Sequence, residues 1–512
     1  MNRKAVKGIA IAALVLMIVS VLLLVVQIGR LNMLPLKFFI PLVVVLVLIV
    51  AILAKFLLTQ QGKYLKKQSN GGQIAAIVLS LILTIAALAG SMVIGKIHAT
   101  MAAVTKGLKI TAIVDVYVDK DDPAKTLKDA KDYTWAITSD YDMENTQKAL
   151  DKIQKQEGFK PKTVEYASVP EMVDALYNGD VDAFLVNNAY VSVISELEGH
   201  KNFLDKTRLL YEFSIESEPP KSAKPAPNKK DDKGDKDEKD EKDEKADTLT
   251  MYLSGSDTRS NKVSSVSRSD VNIIASVNLE TKEILLLNTP RDYYIPNPAY
   301  NGKLDKLTHC GLNGPQCSMD ALSDLYDIDI DYYAQINFTG FETLIDALGG
   351  VTVESDTSFT TYGGTHIRKG SNDLNGKQAL EFARERESLA LGDIARGNHQ
   401  MQVIKAALNK LTSTALIKNY SSILDSLQGM FVTDMPQSKI SELVKMQLDD
   451  MSTWNIHSYA VTGSGDSKKT ASIPNAYAYV MLPDEDMIRH AKELLQMVED
   501  GKTLTEADIN PA

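Results

Sequence analysis

Three apolar runs, Gly8–Ile28, Leu36–Leu58 and Gln73–Gly95, fill most of the start of the chain. Each is about 20 residues long, enough to cross about 30 Å of hydrocarbon as a helix. A cleaved signal peptide would account for the first run but not for the next two. Residues 1–96 are therefore expected to form three transmembrane helices. Arg3, Lys4 and Lys7 precede the first run, and Lys63, Lys66 and Lys67 lie between the second and third, whereas the loop between the first two carries only Arg30 and Lys37. The positive-inside rule then places the N-terminus in the cytoplasm and everything after Lys96 outside the cell. The cytoplasmic pieces are too short for a DNA-binding fold. The net charge of −10, with basic and acidic residues mixed along the soluble part, argues against any nucleic-acid partner.

Outside the membrane the chain falls into three stretches. Residues 97–215 are expected to form a small α/β accessory domain, with strands in "ITAIVDVYV" (110–118) and "VDAFLVNN" (181–188). Between them "NTQKALDKIQKQEG" predicts a helix capped by Asn145 and stopped by Gly158. The run from Ser168 to Glu196 is similar to half of an extracellular solute-binding protein, so a ligand-binding role stands beside a spacer or docking role. Residues 216–247 alternate Lys with Asp and Glu after a Pro-rich start and hold no aromatic or β-branched residue, which predicts a disordered, extended linker.

From 248 to 512 strands and helices alternate, as in an α/β domain. "TLTMYLSG" and "VNIIASVNLETKEILLLNTP" give three strands, while "SMDALSDLYD", "NFTGFETLIDALGG", "NGKQALEFARER" and "ARGNHQMQVIKAALNKLTS" read as helices, and "WNIHSYAV" as a late strand. Arginines stand beside carboxylates at the borders of these elements. They are Asp257 and Arg259, Arg268 and Asp270, Arg291 and Asp292, then Arg384 and Arg386 in "FARERE", and Asp393, Arg396 and Gln400 in "GDIARGNHQ". With Asp393 as a cap, Arg396 and Gln400 follow at offsets that share one helical face. Arg384 and Arg386 share a face only where the chain is extended. The plain reading is that each pair braces a loop. As a set they suit a phosphate or pyrophosphate: the guanidinium fork matches phosphate oxygens and stays charged, and aspartates can hold Mg²⁺ against substrate phosphates.

The ordered run "GSDTR…RSDVNIIASVN…LLLNTPRD…DKLTH…GFETLIDALGGV…LNGKQALEFARER…GDIARGNHQ" closely resembles the LytR-CpsA-Psr family. The three spans and the accessory domain are similar to its capsule-associated, CpsA-type branch in Gram-positive bacteria. The resemblance implies a membrane-anchored phosphotransferase that moves a glycan phosphate, of capsule or a teichoic-acid-like polymer, from a polyprenyl-pyrophosphate carrier to peptidoglycan with Mg²⁺. It implies Asp257 and Asp270 as metal ligands. Arg268, Arg291, Arg384, Arg386, Arg396 and Gln400 would contact the pyrophosphate, and Arg291, Asp292 and Asp393 would lie at the reacting centre. Asp292 is a base or an orienting group. Many members carry arginine where His399 stands, so one phosphate contact is expected to be lost or replaced. Two other readings share these residues: a non-catalytic sensor of lipid-linked precursors that signals to capsule-export or kinase proteins, and a pyrophosphatase that uses water as acceptor.

A few residues stand apart. Cys310 and Cys317 are the only cysteines, and an outside location favours a disulfide between them over two free thiols. Lys306 in "DKLTH" could reach a phosphate. His366, His399 and His457 read as structural or solvated, and Tyr293 and Tyr294 as core or pocket wall.

Overall fold

The computed structural model describes residues 3–58, 71–105, 110–139, 142–194, 199–217, 247–256, 266–386, 393–413, 423, 430–474 and 477–510. The expected linker lies almost wholly outside the described residues, as do Asp257 and Arg259. The chain divides into two compact units: Met1–Thr105 with Leu411–Gln428 and Met435–Thr453, and Lys106–Lys410 with Gly429–Asp434 and Trp454–Ala512.

The first unit is built on α1 (Arg3–Leu31), α2 (Leu36–Leu58) and α3 (Gly71–Val104). Their apolar spans, Val6–Leu31, Leu36–Leu58 and Gly72–Ala102, are each long enough to cross a membrane. Val6, Ala10 and Ala13 bury against Leu57, Ala76 and Ile77, small residues letting the backbones approach where lipid gives no hydrophobic drive between helices. Two buried hydroxyls in α3 are satisfied within the helix, Ser80 donating to the Ile77 carbonyl and Thr84 to that of Ser80, both at 2.8 Å. A further helix, Gln437–Asp450, packs Ile440 and Val444 against Leu31, Met33 and Met101. Gln437 meets His98 at 3.1 Å and Lys445 donates to Asn32 at 3.3 Å, so this helix covers the end of the bundle where α1 and α3 finish.

The second unit opens with an accessory sheet of β1 (Ile110–Asp119), β2 (Thr134–Thr138), β3 (Lys162–Tyr166), β4 (Ala183–Asn187) and β5 (Thr207–Ser217) in the order β3-β2-β4-β1-β5. Strands β2, β3 and β4 run parallel, connected by α4 (Met143–Glu157) and α5 (Val169–Asn178). Helix α4 stops at Gly158, whose φ of +79° a side chain would resist, but it starts earlier than expected. Asp142 holds the cap position, and Asn145 lies inside the helix, donating to the Asp142 carboxylate at 2.5 Å. The accessory core around Trp135, Phe184 and Phe203 also takes in Val266, Leu312 and Ile473, and Tyr190 hydrogen-bonds Tyr300. The accessory sheet and the domain after the linker therefore share buried surface.

That domain is a mixed six-stranded sheet of β6 (Thr248–Ser256), β7 (Val271–Asn278), β8 (Glu283–Asn288), β9 (Tyr332–Asn337), β10 (Phe431–Thr433) and β11 (Asn455–Ala460), in the order β10-β9-β6-β7-β8-β11. The pairs β9–β6 and β8–β11 are parallel and the others antiparallel. Every residue of β8 is buried, because both faces of the sheet are covered. Leu285 and Leu287 pack with α6 (Pro315–Tyr326) and α9 (Glu485–Glu499), through Leu322, Tyr326 and Leu494. Ile284 and Leu286 pack with Met401, Ile404 and Leu408 of α8 (Asp393–Leu411), which follows α7 (Gly376–Arg384). The strand that ends in "NTPRD" is thus held in the middle layer of the domain.

Candidate active site

The segment Asn288–Tyr293 leaves β8 and is fixed from several sides. Thr289 N donates to the Asn272 carbonyl at 2.9 Å and Val461 N to that of Asn288 at 3.2 Å. Met481 N donates to the Asp292 carbonyl at 2.7 Å and Thr308 N to that of Arg291 at 2.8 Å. The Thr289 and Tyr326 hydroxyls meet at 2.8 Å, and the Tyr293 hydroxyl donates to the Thr462 carbonyl at 2.5 Å. With its backbone bonds so placed, the segment is a rigid mount for Arg291.

Helix α8 approaches the same point through a glycine. A Cβ on Gly397 would lie 2.5 Å from the Asn288 side-chain nitrogen, so this turn of the helix tolerates no side chain while Asn288 stays in place. The close approach brings Arg396 and Gln400, one on each side of Gly397, to a cleft of about 380 Å³, open mouth included. Its walls also carry Asp270, Asn288, Thr289 and Arg291, with Pro290, Val461, Thr462 and Met481.

Behind the cleft lies a charged layer. Arg291 Nη1 donates to Asp270 Oδ1 at 2.8 Å, and its Nε faces Asp292 Oδ2 at 3.5 Å. Lys306 Nζ sits 3.1 Å from Asp292 Oδ1, and Arg268 Nη2 is 3.9 Å from Asp270 Oδ1. Burial alone would raise the Asp292 carboxyl, but Lys306 and Arg291 outweigh it and hold it below the usual carboxylate range. Among the described residues, Arg268, Arg291, Lys306 and Arg396 gather here with the carboxylates of Asp270 and Asp292. Guanidinium forks on the wall of a partly desolvated cleft suit phosphate oxygens.

Of the residues expected from the sequence, Asp270, Arg291, Arg396 and Gln400 come together on the cleft wall. Arg268, Asp292 and Lys306 are buried and absent from the lining residues, with Lys306 spent on Asp292. Arg384 and Arg386 are exposed and do not line this cleft. Helix α7 ends at Arg384 and Glu385 is extended, which gives the extended geometry a shared face requires. The Arg384 guanidinium, however, stacks 4.3 Å from the Phe338 ring centroid. Asp257 and the side chain of Asp393 lie outside the described residues. His399 points away from the cleft. Its ring stacks on Phe382 at a centroid distance of 3.9 Å, with Phe359 beside the pair at 5.5 Å, and burial lowers its pKa. Cys310 and Cys317 are buried free thiols in contact, not the favoured disulfide.

Sequence reasoning passed over Asn288, Gly397, Thr462 and Met481. A glycine in mid-helix beside "NHQ" was a legible sign of close packing. Thr462 and Met481 arrive from well over a hundred residues away with no local signal. The described residues hold no cluster of three or more His, Cys, Asp or Glu side chains placed to bind a metal.

The family described as LytR_cpsA_psr matches residues 220–494. A polyisoprenyl-teichoic acid–peptidoglycan teichoic acid transferase TagU of Oceanobacillus iheyensis is 32% identical over 255 residues, covering 48% of this chain and 75% of the relative. The same-named protein of Enterococcus faecalis is 28% identical over 246 residues, covering 48% and 78%. Among solved structures, TagV of B. subtilis aligns with 50% of this chain and 98% of its own at 23% identity, with a TM-score of 0.42.

Proposed function

The chain belongs to the LytR-CpsA-Psr family, and we propose that it is a membrane-anchored transferase that moves a glycopolymer from a polyprenyl-pyrophosphate carrier to peptidoglycan. The observation that carries this reading is the convergence of Asp270, Arg291, Arg396 and Gln400, drawn from three separate stretches of sequence, on one cleft. In the reaction, an acceptor hydroxyl attacks the glycan-side phosphorus, the bridging P–O bond breaks, and the carrier leaves as a polyprenyl monophosphate. Negative charge gathers on the phosphoryl oxygens as that bond breaks, and Arg291 and Arg396 are placed to balance it.

Asp292 fits an orienting role better than that of a base. Both its oxygens face cations, and a carboxylate held below its usual pKa is a weak proton acceptor. It fixes Arg291 and Lys306 in place. Mg²⁺ binds hard oxygens, commonly one or two carboxylates together with substrate phosphates and water, so it needs no large protein cluster. The Asp270 carboxylate at the cleft, with Asp257, fits such a site, and the ion would supply further charge for the pyrophosphate.

The three apolar helices anchor the chain in a membrane. The distribution of Arg and Lys around them supports a cytoplasmic N-terminus and a catalytic domain outside the cell, where peptidoglycan is found.

The test is to incubate the full chain in detergent with a polyprenyl-pyrophosphate glycan, Mg²⁺ and peptidoglycan fragments. A phosphodiester-linked product that is lost in Arg291→Ala supports the reading. Cleavage to free glycan phosphate without transfer would instead identify a pyrophosphatase. Binding of the lipid with neither outcome would leave the sensor.

A further inference from the structure

The hairpin of β12 (Gly463–Lys469) and β13 (Tyr477–Pro483) forms one rim of the cleft and carries a feature the phosphate chemistry does not use. Side chains alternate along a strand, so Tyr477, Tyr479 and Met481 share one face. Met481 lines the cleft, and its backbone bridges to Tyr293 and bonds to Asp292. Tyr477 and Tyr479 continue the row outward and are 69% and 54% exposed.

The rings are backed from the neighbouring strand. A Cβ on Gly465 would lie 2.9 Å from Tyr479 Cε2, so the Tyr479 ring lies across the glycine with its far side turned outward. Lys469 pairs with Tyr477 across the hairpin and sets its ammonium 5.8 Å from that ring's centroid. Asp466 pairs with Lys468 at 2.8 Å, so the hairpin's charges largely cancel.

We propose that Tyr479 and Tyr477 form a stacking rail for the N-acetylhexosamine rings of the acceptor, the glycan strand of peptidoglycan. This rests on the transferase reading. A flat tyrosine face offers apolar area with little rotamer entropy to lose, and a pyranose ring presents a matching face of C–H groups. At about 3.4 Å per strand residue the two tyrosines lie roughly 7 and 13 Å from Met481, in line with the cleft, so a strand lying along them can direct its hydroxyl inward. The phosphate-bearing donor is served by the arginines, whereas the near-neutral hairpin suits an uncharged sugar strand.

The probe is a tetrasaccharide of alternating N-acetylglucosamine and N-acetylmuramic acid whose lactyl carboxylates are capped as simple amides, so that it is uncharged, and the protein is the full chain in detergent. The double variant Tyr477→Ala/Tyr479→Ala should bind it at least about tenfold more weakly and raise the acceptor KM by a similar factor. Donor KM and donor cleavage in water should stay unchanged. Tyr477→Phe/Tyr479→Phe keeps the ring faces and should restore binding, and the single variant Tyr477→Ala, at the more exposed site, guards against misfolding. Wild-type tetrasaccharide affinity in the double alanine variant overturns the rail, even if transfer proceeds. Loss of binding in that variant from a wild type that binds the sugar but transfers nothing would sink the transferase reading and keep the rail.

Discussion

Arg291 and Asp270 meet at 2.8 Å across the end of the central sheet, Nη1 to Oδ1, joining the loop after β8 to the residue just before β7. Both line the cleft, and each is held from behind, Arg291 by Asp292 and Asp270 by Arg268. The guanidinium is therefore oriented before any substrate arrives, and pre-oriented charge is what phosphoryl transfer draws on most.

Arg291→Ala should lower kcat/KM for transfer by about 100-fold or more, because it removes a fixed charge at the phosphoryl group. Arg291→Lys keeps the charge but not the fork, and should recover only part of that loss. Steady-state kinetics on the two variants, beside thermal unfolding of each, separates a lost contact from a lost fold. Equal losses in both variants would mean that bidentate geometry, not charge, is decisive.

Gly397→Ala tests the close approach of α8. The new Cβ must displace the Asn288 side chain, the far end of a flexible group, so the fold should survive at a cost of about 1–3 kcal/mol. Arg396 and Gln400 sit on either side of the shifted turn, so activity should fall more than stability does. An Asn288→Ala/Gly397→Ala double variant removes the clash and should regain stability. If it does not, the contact is not the cause.

Much of this site was legible because the relevant signals were local. Arg396 and Gln400 share a helical face by spacing alone, and "LLLNTPRD" announces a buried strand ending in charge. The alternation of strands and helices and the three apolar helices were likewise written in periodicity and run length, whereas the mixed pairing of the strands was not. What failed depends on tertiary packing. Nothing near Met481 says that its strand will bridge to Tyr293, and Arg384 turns onto Phe338, a partner distant in sequence. The start of α4 was misplaced because Asp142 and Asn145 are both good caps, and local propensity does not choose between them.

Asp292 gives a pH prediction. Its folded-state pKa is depressed by Lys306 and Arg291 despite burial, so its stabilising contribution is present above the unfolded value of about 3.9 and is lost as pH falls through the folded value. Asp292→Asn leaves Lys306 buried beside a neutral group and should cost on the order of 3 kcal/mol at pH 7. The gap between variant and wild type in denaturant melts should be flat from pH 8 to about 5 and close only below about pH 4. A gap that closes near pH 6 would contradict the depressed pKa.

His399 gives the opposite dependence. Stacked on Phe382 with Phe359 beside it, and with Nδ1 3.1 Å from the Phe382 carbonyl, it is held neutral by burial, and its folded-state pKa lies below the unfolded value of about 6.5. The unfolded chain therefore takes up a proton first as pH falls, and the fold loses stability from about pH 7 downward until the folded imidazole is protonated as well. His399→Phe keeps a flat ring against Phe382 and has nothing to protonate. It should abolish that loss, so the wild-type and variant stability curves diverge between about pH 7 and 5. Because the ring points away from the cleft, transfer by His399→Phe at pH 8 should stay near the wild-type rate. His399→Arg, by contrast, forces a charge into a buried position packed on Phe382 and away from the cleft, and should destabilise the domain without adding a phosphate contact. Improved donor binding in His399→Arg would show that the helix can turn this position toward the cleft, against the packing described.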